Sequence, residues 1–158
     1  MKPKNQKSKE SVWDYPRPPR LEPSSKHLKV VLGGVVIAES TKTLKMCETS
    51  HPPVYYFPPE DVRMDLLAPA DGRSYCEWKG VASYYTVSVN GKTVENAAWY
   101  YKNPRSRYRE LKNCIAFYPR KMDACYVDGE EVQAQPGDFY GGWITSDITG
   151  PFKGDLTP

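Results

Sequence analysis

Two Pro-Pro pairs, Pro52-Pro53 and Pro58-Pro59, bracket the short apolar run Val54–Phe57. Proline has a fixed φ and no amide proton, so neither pair can sit inside a central strand. Val54–Phe57 is therefore expected as a short strand between two rigid bends. Fifteen prolines spread over 158 residues rule out a fold built from long helices. Aromatic residues reach 13%, and their flat side chains suit a pleated, half-buried surface. The expectation is a mainly β, small antiparallel domain with an extended N-terminal arm and an irregular C-terminal tail.

The chain divides into four stretches. Residues 1–10 are polar and basic and read as a disordered tail. Residues 11–25, SVWDYPRPPRLEPSS, form a proline-stiffened arm whose Trp13, Tyr15 and Leu21 give it something to dock with, on the domain or on a second copy. Residues 26–135 carry the β domain. Here Gly33-Gly34, Asn90-Gly91 and Asp128-Gly129 mark hairpin turns. In the expected registers Val30 faces Ile37, Val87 faces Val94 and Tyr84 faces Ala97. Asp71-Gly72 is a further turn signal. Pro59-Glu60-Asp61 opens a helical turn, and Arg63–Leu67 continues extended with Met64 and Leu66 inward. Ser106 caps a short helix through Leu111. Residues 136–158 are rich in glycine and aromatics, including Phe139, and pack on the domain rather than staying solvated.

A net charge of +3, partly from the first residues, gives no support for a nucleic-acid partner. No apolar run approaches the length that spans a bilayer, and no signal-peptide core opens the chain, so the expected setting is soluble and cytoplasmic, with no membrane partner. The four cysteines are widely spaced and form no CxxC pair, which leaves no zinc motif and no metal assignment. The sequence leaves the cofactor unknown.

The candidate chemistry clusters around residues 48–80. His51, held before two prolines, is a candidate base or ligand contact; the structural reading is an imidazole that serves its own turn. Asp61, Arg63 and Asp65 alternate in charge. They either line a cleft, with Asp65 as a base, or form a solvated salt-bridged face. Read as one strand, Arg73–Lys79 puts Cys76 and Lys79 on opposite faces. That makes Cys76 a core thiol and Lys79 an anion contact beside Gly80. Tyr55, Tyr84 and Trp99 are core aromatics or the walls of a pocket.

Taken in order, ETSHPPVYYFPPEDVRMDLL, YCEWKGVASYY and NAAWYY resemble Domain of Unknown Function family four-twenty-seven. SVWDYPRPPRLEPS and PGDFYGGWITSDITGPFKG are similar to flanks seen in its members, so the likeness runs over about residues 11–154. The closing Gly154–Pro158 departs from the family's further Gly-rich, Trp-containing segment. The resemblance implies a small, mostly β, tent-like fold of two antiparallel sheets meeting at an angle. Related tent folds bind zinc through cysteine pairs, which are lacking here. The family also carries a nucleotidyltransferase-like label, for which these residues hold no recognisable motif. By position its signature falls on Glu48, Thr49, Ser50, His51, Tyr55, Asp61, Arg63, Leu66, Cys76, Lys79, Gly80, Tyr84 and Trp99. The resemblance implies that the polar members surround one cleft.

Three functions are consistent with the sequence. The first is a small-molecule-binding β domain, in which His51, Arg63 and Lys79 contact a polar or anionic ligand walled by Tyr55, Tyr84 and Trp99. The second is a transferase with His51 or Asp65 as base. The third is an interaction module, with a homodimer formed through the N-terminal arm.

Overall fold

The computed structural model describes residues 9–137 and 140–154. Most of the expected 1–10 tail, Phe139 and residues 155–158 lie outside the described residues. The first half of the chain forms β1 (Glu10–Ser11), β2 (Arg20–Ser24), β3 (Leu28–Leu32), β4 (Val35–Ser40), β5 (Thr43–Cys47), β6 (Val54–Tyr56) and β7 (Leu67–Cys76). The second half forms β8 (Gly80–Val89), β9 (Lys92–Tyr101), β10 (Ala116–Phe117), β11 (Ala124–Val127), β12 (Glu130–Glu131), β13 (Gln133–Ala134), β14 (Trp143–Ile144) and β15 (Ile148–Thr149). Helical structure among the described residues is confined to short 3-10 turns. The fold is mainly β, as expected, and among the described residues it spreads over several small sheets with no barrel.

The larger sheets run β10-β9-β8-β7 and β12-β11-β3-β4, and a third runs β2-β5-β6. Turn chemistry sets these hairpins. Gly33-Gly34 takes φ of +60° and +77°, and Asn90-Gly91 takes +49° and +78°. Such left-handed pairs match the twist of the strands they join. Val87 pairs with Val94 as the Asn90-Gly91 turn requires. Further along, Tyr84 pairs with Trp99 rather than Ala97. A bulge between Tyr85 and Val87 shifts the register, and Asn96 absorbs part of it at φ +50°. A similar irregularity at Val30/Val31 places Val30 opposite Ala38 rather than Ile37.

Other local expectations are corrected. Asp71-Gly72 does not reverse the chain but lies in a bulge inside β7. Pro59–Asp61 is a 3-10 turn, as the proline and acids suggest, but Met64–Leu66 is a second 3-10 turn instead of extended chain. Ser106 is the first residue of its 3-10 segment rather than the cap, a position taken by Arg105 without a side-chain bond.

The long β8–β9 hairpin serves two cores. One end packs Val87, Val89 and Ala97 with Leu28, Val30 and Ile37 of β3 and β4, and with Phe57, Phe117 and Trp143. The other end packs Ala82, Trp99 and Tyr101 with Met46 and Tyr56 of β5 and β6. Each fully buried large side chain contributes about 1.5–3 kcal/mol of transfer free energy. The proline-rich arm is part of this framework. Leu21 pairs with Met46 across β2 and β5, Val12 is wholly buried, and the Tyr108 hydroxyl donates to the Pro19 carbonyl at 2.7 Å. The C-terminal segment is equally tied in: β14 pairs with β13, β15 pairs in parallel with β1, and the Trp143 side chain is fully buried.

Candidate functional site

A cavity of about 540 Å³ opens between the turn at His51, the turn joining β7 to β8, and the C-terminal segment. Tyr56, Tyr84, Trp99, Tyr101 and Tyr118 supply its aromatic walls. These rings hold one another. Tyr56 meets Trp99 edge-on at 6.2 Å, and Trp99 lies 4.5 Å from Tyr118. The Tyr84 hydroxyl donates to Ser74 Oγ at 2.7 Å. Gly141 completes the wall, since a Cβ there would come within 2.4 Å of the Trp99 ring.

The polar lining includes Arg17, Glu48, His51, Cys76, Lys79, Gln135 and Lys153. His51 is positioned by an unusual backbone. Ser50, directly before it, is buried at φ +72° without being glycine. Strain of this kind persists only where surrounding bonds over-determine it. Here the Ser50 N–H donates to the Val12 carbonyl at 3.0 Å, and the Ser50 carbonyl accepts from the Lys153 N–H at 2.6 Å. The His51 N–H closes the turn onto the Glu48 carbonyl at 3.0 Å. The imidazole packs edge-on against Tyr140, with centroids 5.1 Å apart. Burial pushes its pKa below the ordinary 6.5; Glu48 opposes this shift, while Lys79, Lys153 and Arg17 add to it. His51 is thus neutral at pH 7.

Lys79 is the other anchor. The strand expected through Lys79 ends at Cys76, which pairs with Gly80, so Glu77–Lys79 form a turn. The opposite-face argument fails for that reason: Cys76 and Lys79 come together in the cavity wall. Gly80 takes φ +112°, a conformation open to glycine, and the Lys79 carbonyl accepts from the Arg105 N–H at 2.9 Å. The Lys79 side chain is buried, with 8% of the residue exposed. Burial works against its charge, but Tyr56, Cys76 and Glu48 outweigh it and carry its pKa above the usual lysine value. Burial pushes the Tyr56 hydroxyl pKa up in turn. Among the described residues no carboxylate lies within ion-pair distance of the Lys79 ammonium.

The structure brings His51, Lys79, Tyr84 and Trp99 to one cavity and leaves the other candidates outside it. Arg63 and Asp65 pair with each other on the surface through two bonds of 2.9 and 2.8 Å. Arg63, at the start of the 3-10 turn, lines a second, more open hollow with Val35, Leu66 and Asn90. Asp61 accepts from Ser40 at 2.6 Å, a bond that fixes β4 to the proline turn. Tyr55 belongs to the main core, edge-on to Trp143 at 5.4 Å. Its alternation with Tyr56 along β6 puts the neighbouring ring in the cavity instead. Sequence reasoning missed Arg17, Gln135 and Lys153 as lining residues, for each reaches the cavity only through tertiary packing of the two chain ends. No cluster of His, Cys, Asp and Glu suited to a metal occurs among the described residues. No helix among them is long and apolar enough to cross a membrane.

Fold and cavity together define a small β domain that encloses an aromatic hollow lined by cationic groups. The chain belongs to the family described as a domain of unknown function, DUF427, whose model matches residues 20–128. The match contains His51 and Lys79 and ends before Gln135, Gly141 and Lys153. No curated protein matches the chain.

Proposed function

We propose that this protein binds a small anionic ligand in the aromatic cavity, with Lys79 as the counter-charge. One observation carries the reading: a buried ammonium with no ion-paired carboxylate among the described residues lines a hollow of ligand size. A buried charge without a direct ion-pair partner is unfavourable, and an incoming anion relieves that cost. Arg17 and Lys153 add positive charge at the same walls, against Glu48 and Glu77. The surrounding rings suit a ligand with a flat apolar part. All four cysteines are free thiols, which fits a reducing, cytoplasmic setting.

The transferase alternative has less support. Asp65 is exposed and engaged by Arg63, away from the cavity. His51 lines the cavity, but its hydrogen-bonded side-chain partner is the amide of Gln135, not a carboxylate. The homodimer through the arm also has no specific observation in its favour: the arm docks on its own chain, where β2 pairs along one edge with β5.

Thermal-shift titrations with phosphate, simple carboxylates and nucleoside phosphates test the proposal. At least one of these anions is expected to raise the melting temperature of the wild type and of Arg63→Ala, and to leave Lys79→Met unmoved. Ligand binding to the native state at 100 times its Kd stabilises by about 2.7 kcal/mol. An equal response in Lys79→Met would remove the proposal.

A further inference from the structure

Gln135 is almost fully buried, with 2% exposed, and all its side-chain bonds are set by backbone groups and one ring. Its Oε1 accepts the Gly142 N–H at 3.0 Å. Its Nε2 donates to the Lys153 carbonyl at 2.8 Å. These two contacts fix which end of the amide is oxygen and which is nitrogen, because an N–H cannot donate to an N–H and a carbonyl cannot accept from a carbonyl. The second Nε2 proton is then directed at His51 Nδ1, 3.2 Å away. An amide NH₂ only donates, so Nδ1 must accept. A neutral imidazole whose Nδ1 accepts carries its proton on Nε2.

We infer that Gln135 is a specificity-determining positioning residue, which locks His51 as a neutral Nε2–H donor so that the cavity recognises an oxyanion through His51 and Lys79 together. This rests on the anion-binding reading and refines it. The ligand class becomes one bearing a carboxylate or phosphate oxygen able to accept from an imidazole N–H while facing an ammonium. The same lock removes His51 as a general base. Nδ1 has its lone pair engaged, and Nε2 has no lone pair to offer while it holds the proton. Protonation at Nδ1 would set N–H against N–H, so the imidazolium is opposed by Gln135 as well as by burial. The other charged groups around His51 are Glu48 on its own turn, Lys79 on the β7–β8 turn, Arg17 on the arm and Lys153 on the C-terminal segment. Three of these are cations and also disfavour the imidazolium.

The chain has two histidines, so the assignment is readily tested. Long-range ¹H–¹⁵N spectra of the full chain, compared with His27→Asn, identify the His51 ring nitrogens. The expected pattern at pH 7 is a neutral ring protonated at Nε2. An Nδ1–H ring, or a charged one, would overturn the inference outright. In Gln135→Glu a carboxylate replaces the donor opposite Nδ1. The expected result is a proton at Nδ1 and a titration midpoint raised by about 1–3 pH units. An unchanged tautomer and midpoint in a folded Gln135→Glu protein would also overturn it. None of these spectra needs a ligand. If the wild-type tautomer is as stated and none of phosphate, simple carboxylates and nucleoside phosphates perturbs the His51 resonances, the anion-binding reading fails while the role of Gln135 in setting the tautomer stands.

Discussion

Lys153 and Ser50 are joined by a 2.6 Å bond from the backbone N–H of the first to the carbonyl of the second. The bond connects the end of the described chain to the strained residue that aims His51. Lys153 also presents its carbonyl to Gln135, so one residue braces both the turn and the amide facing the imidazole. The C-terminal segment is therefore a structural part of the cavity.

Removing residues 151–158 should loosen that turn without unfolding the domain, whose sheets β10-β9-β8-β7 and β12-β11-β3-β4 end earlier. A net hydrogen bond contributes about 1 kcal/mol, so the amides of Ser50 and His51 should exchange about 5- to 10-fold faster. Amides in β8 and β9 should keep their protection. Unchanged exchange at Ser50 would mean that Val12 alone holds the turn.

The arm offers a second test. Tyr108 is buried and its hydroxyl bonds the Pro19 carbonyl at 2.7 Å, anchoring the chain as it enters β2. Tyr108→Phe leaves that carbonyl without its donor and should lower stability by about 1–3 kcal/mol in urea unfolding. Deleting residues 1–25 goes further, because it strips β2 from β5 and bares the edge of a sheet. The expected outcome is aggregation or unfolding rather than a clean monomer, read by light scattering.

What could be read in advance follows the range of the interactions involved. Turns fixed by local chemistry, such as Asn90-Gly91 and the Pro59 helical turn, were legible because two or three residues decide them. The Tyr84–Trp99 pairing was not, since the bulge that shifts it answers to packing on both faces of β8 and β9. The site divides in the same way. His51, Lys79, Tyr84 and Trp99 stand in distinctive local contexts, while Gln135 sits in an unremarkable polar stretch and gains its role from the fold around it. Arg63 shows the converse error. Charge alternation made it conspicuous, yet a 3-10 turn sends it to the surface beside Asp65.

Gly141 sets the size of the cavity. A methyl group there would stand 2.4 Å from Trp99 Cη2 and 3.1 Å from Tyr118 Cδ1, closer than packed atoms allow. Trp99 is itself wedged against Tyr56 and Tyr118, so the ring has little room to retreat. Overpacking of this kind typically costs about 1–3 kcal/mol, or roughly 2–12 °C in melting temperature for a domain of this size. Gly141→Ala should show that loss together with a change in tryptophan fluorescence. A variant as stable as the wild type would mean that the wall is softer than its contacts indicate.

The pH dependence of stability should carry the signature of His51. Its pKa is held below 6.5, chiefly by burial and then by Lys79, Lys153 and Arg17 against Glu48. The unfolded chain therefore takes up a proton at His51 before the folded chain does. Between the two midpoints the unfolded state binds more protons, so stability rises with pH across that window and is lost as pH falls from 6.5 towards the folded midpoint. The other ionisable groups are common to the wild type and to a variant that changes only His51. In His51→Asn the slope of unfolding free energy between pH 7 and pH 5 should be shallower than in the wild type. Urea midpoints collected at half-unit steps measure both slopes. Parallel curves would show that His51 has the same proton affinity folded and unfolded, and would overturn the assignment of a depressed pKa to its burial.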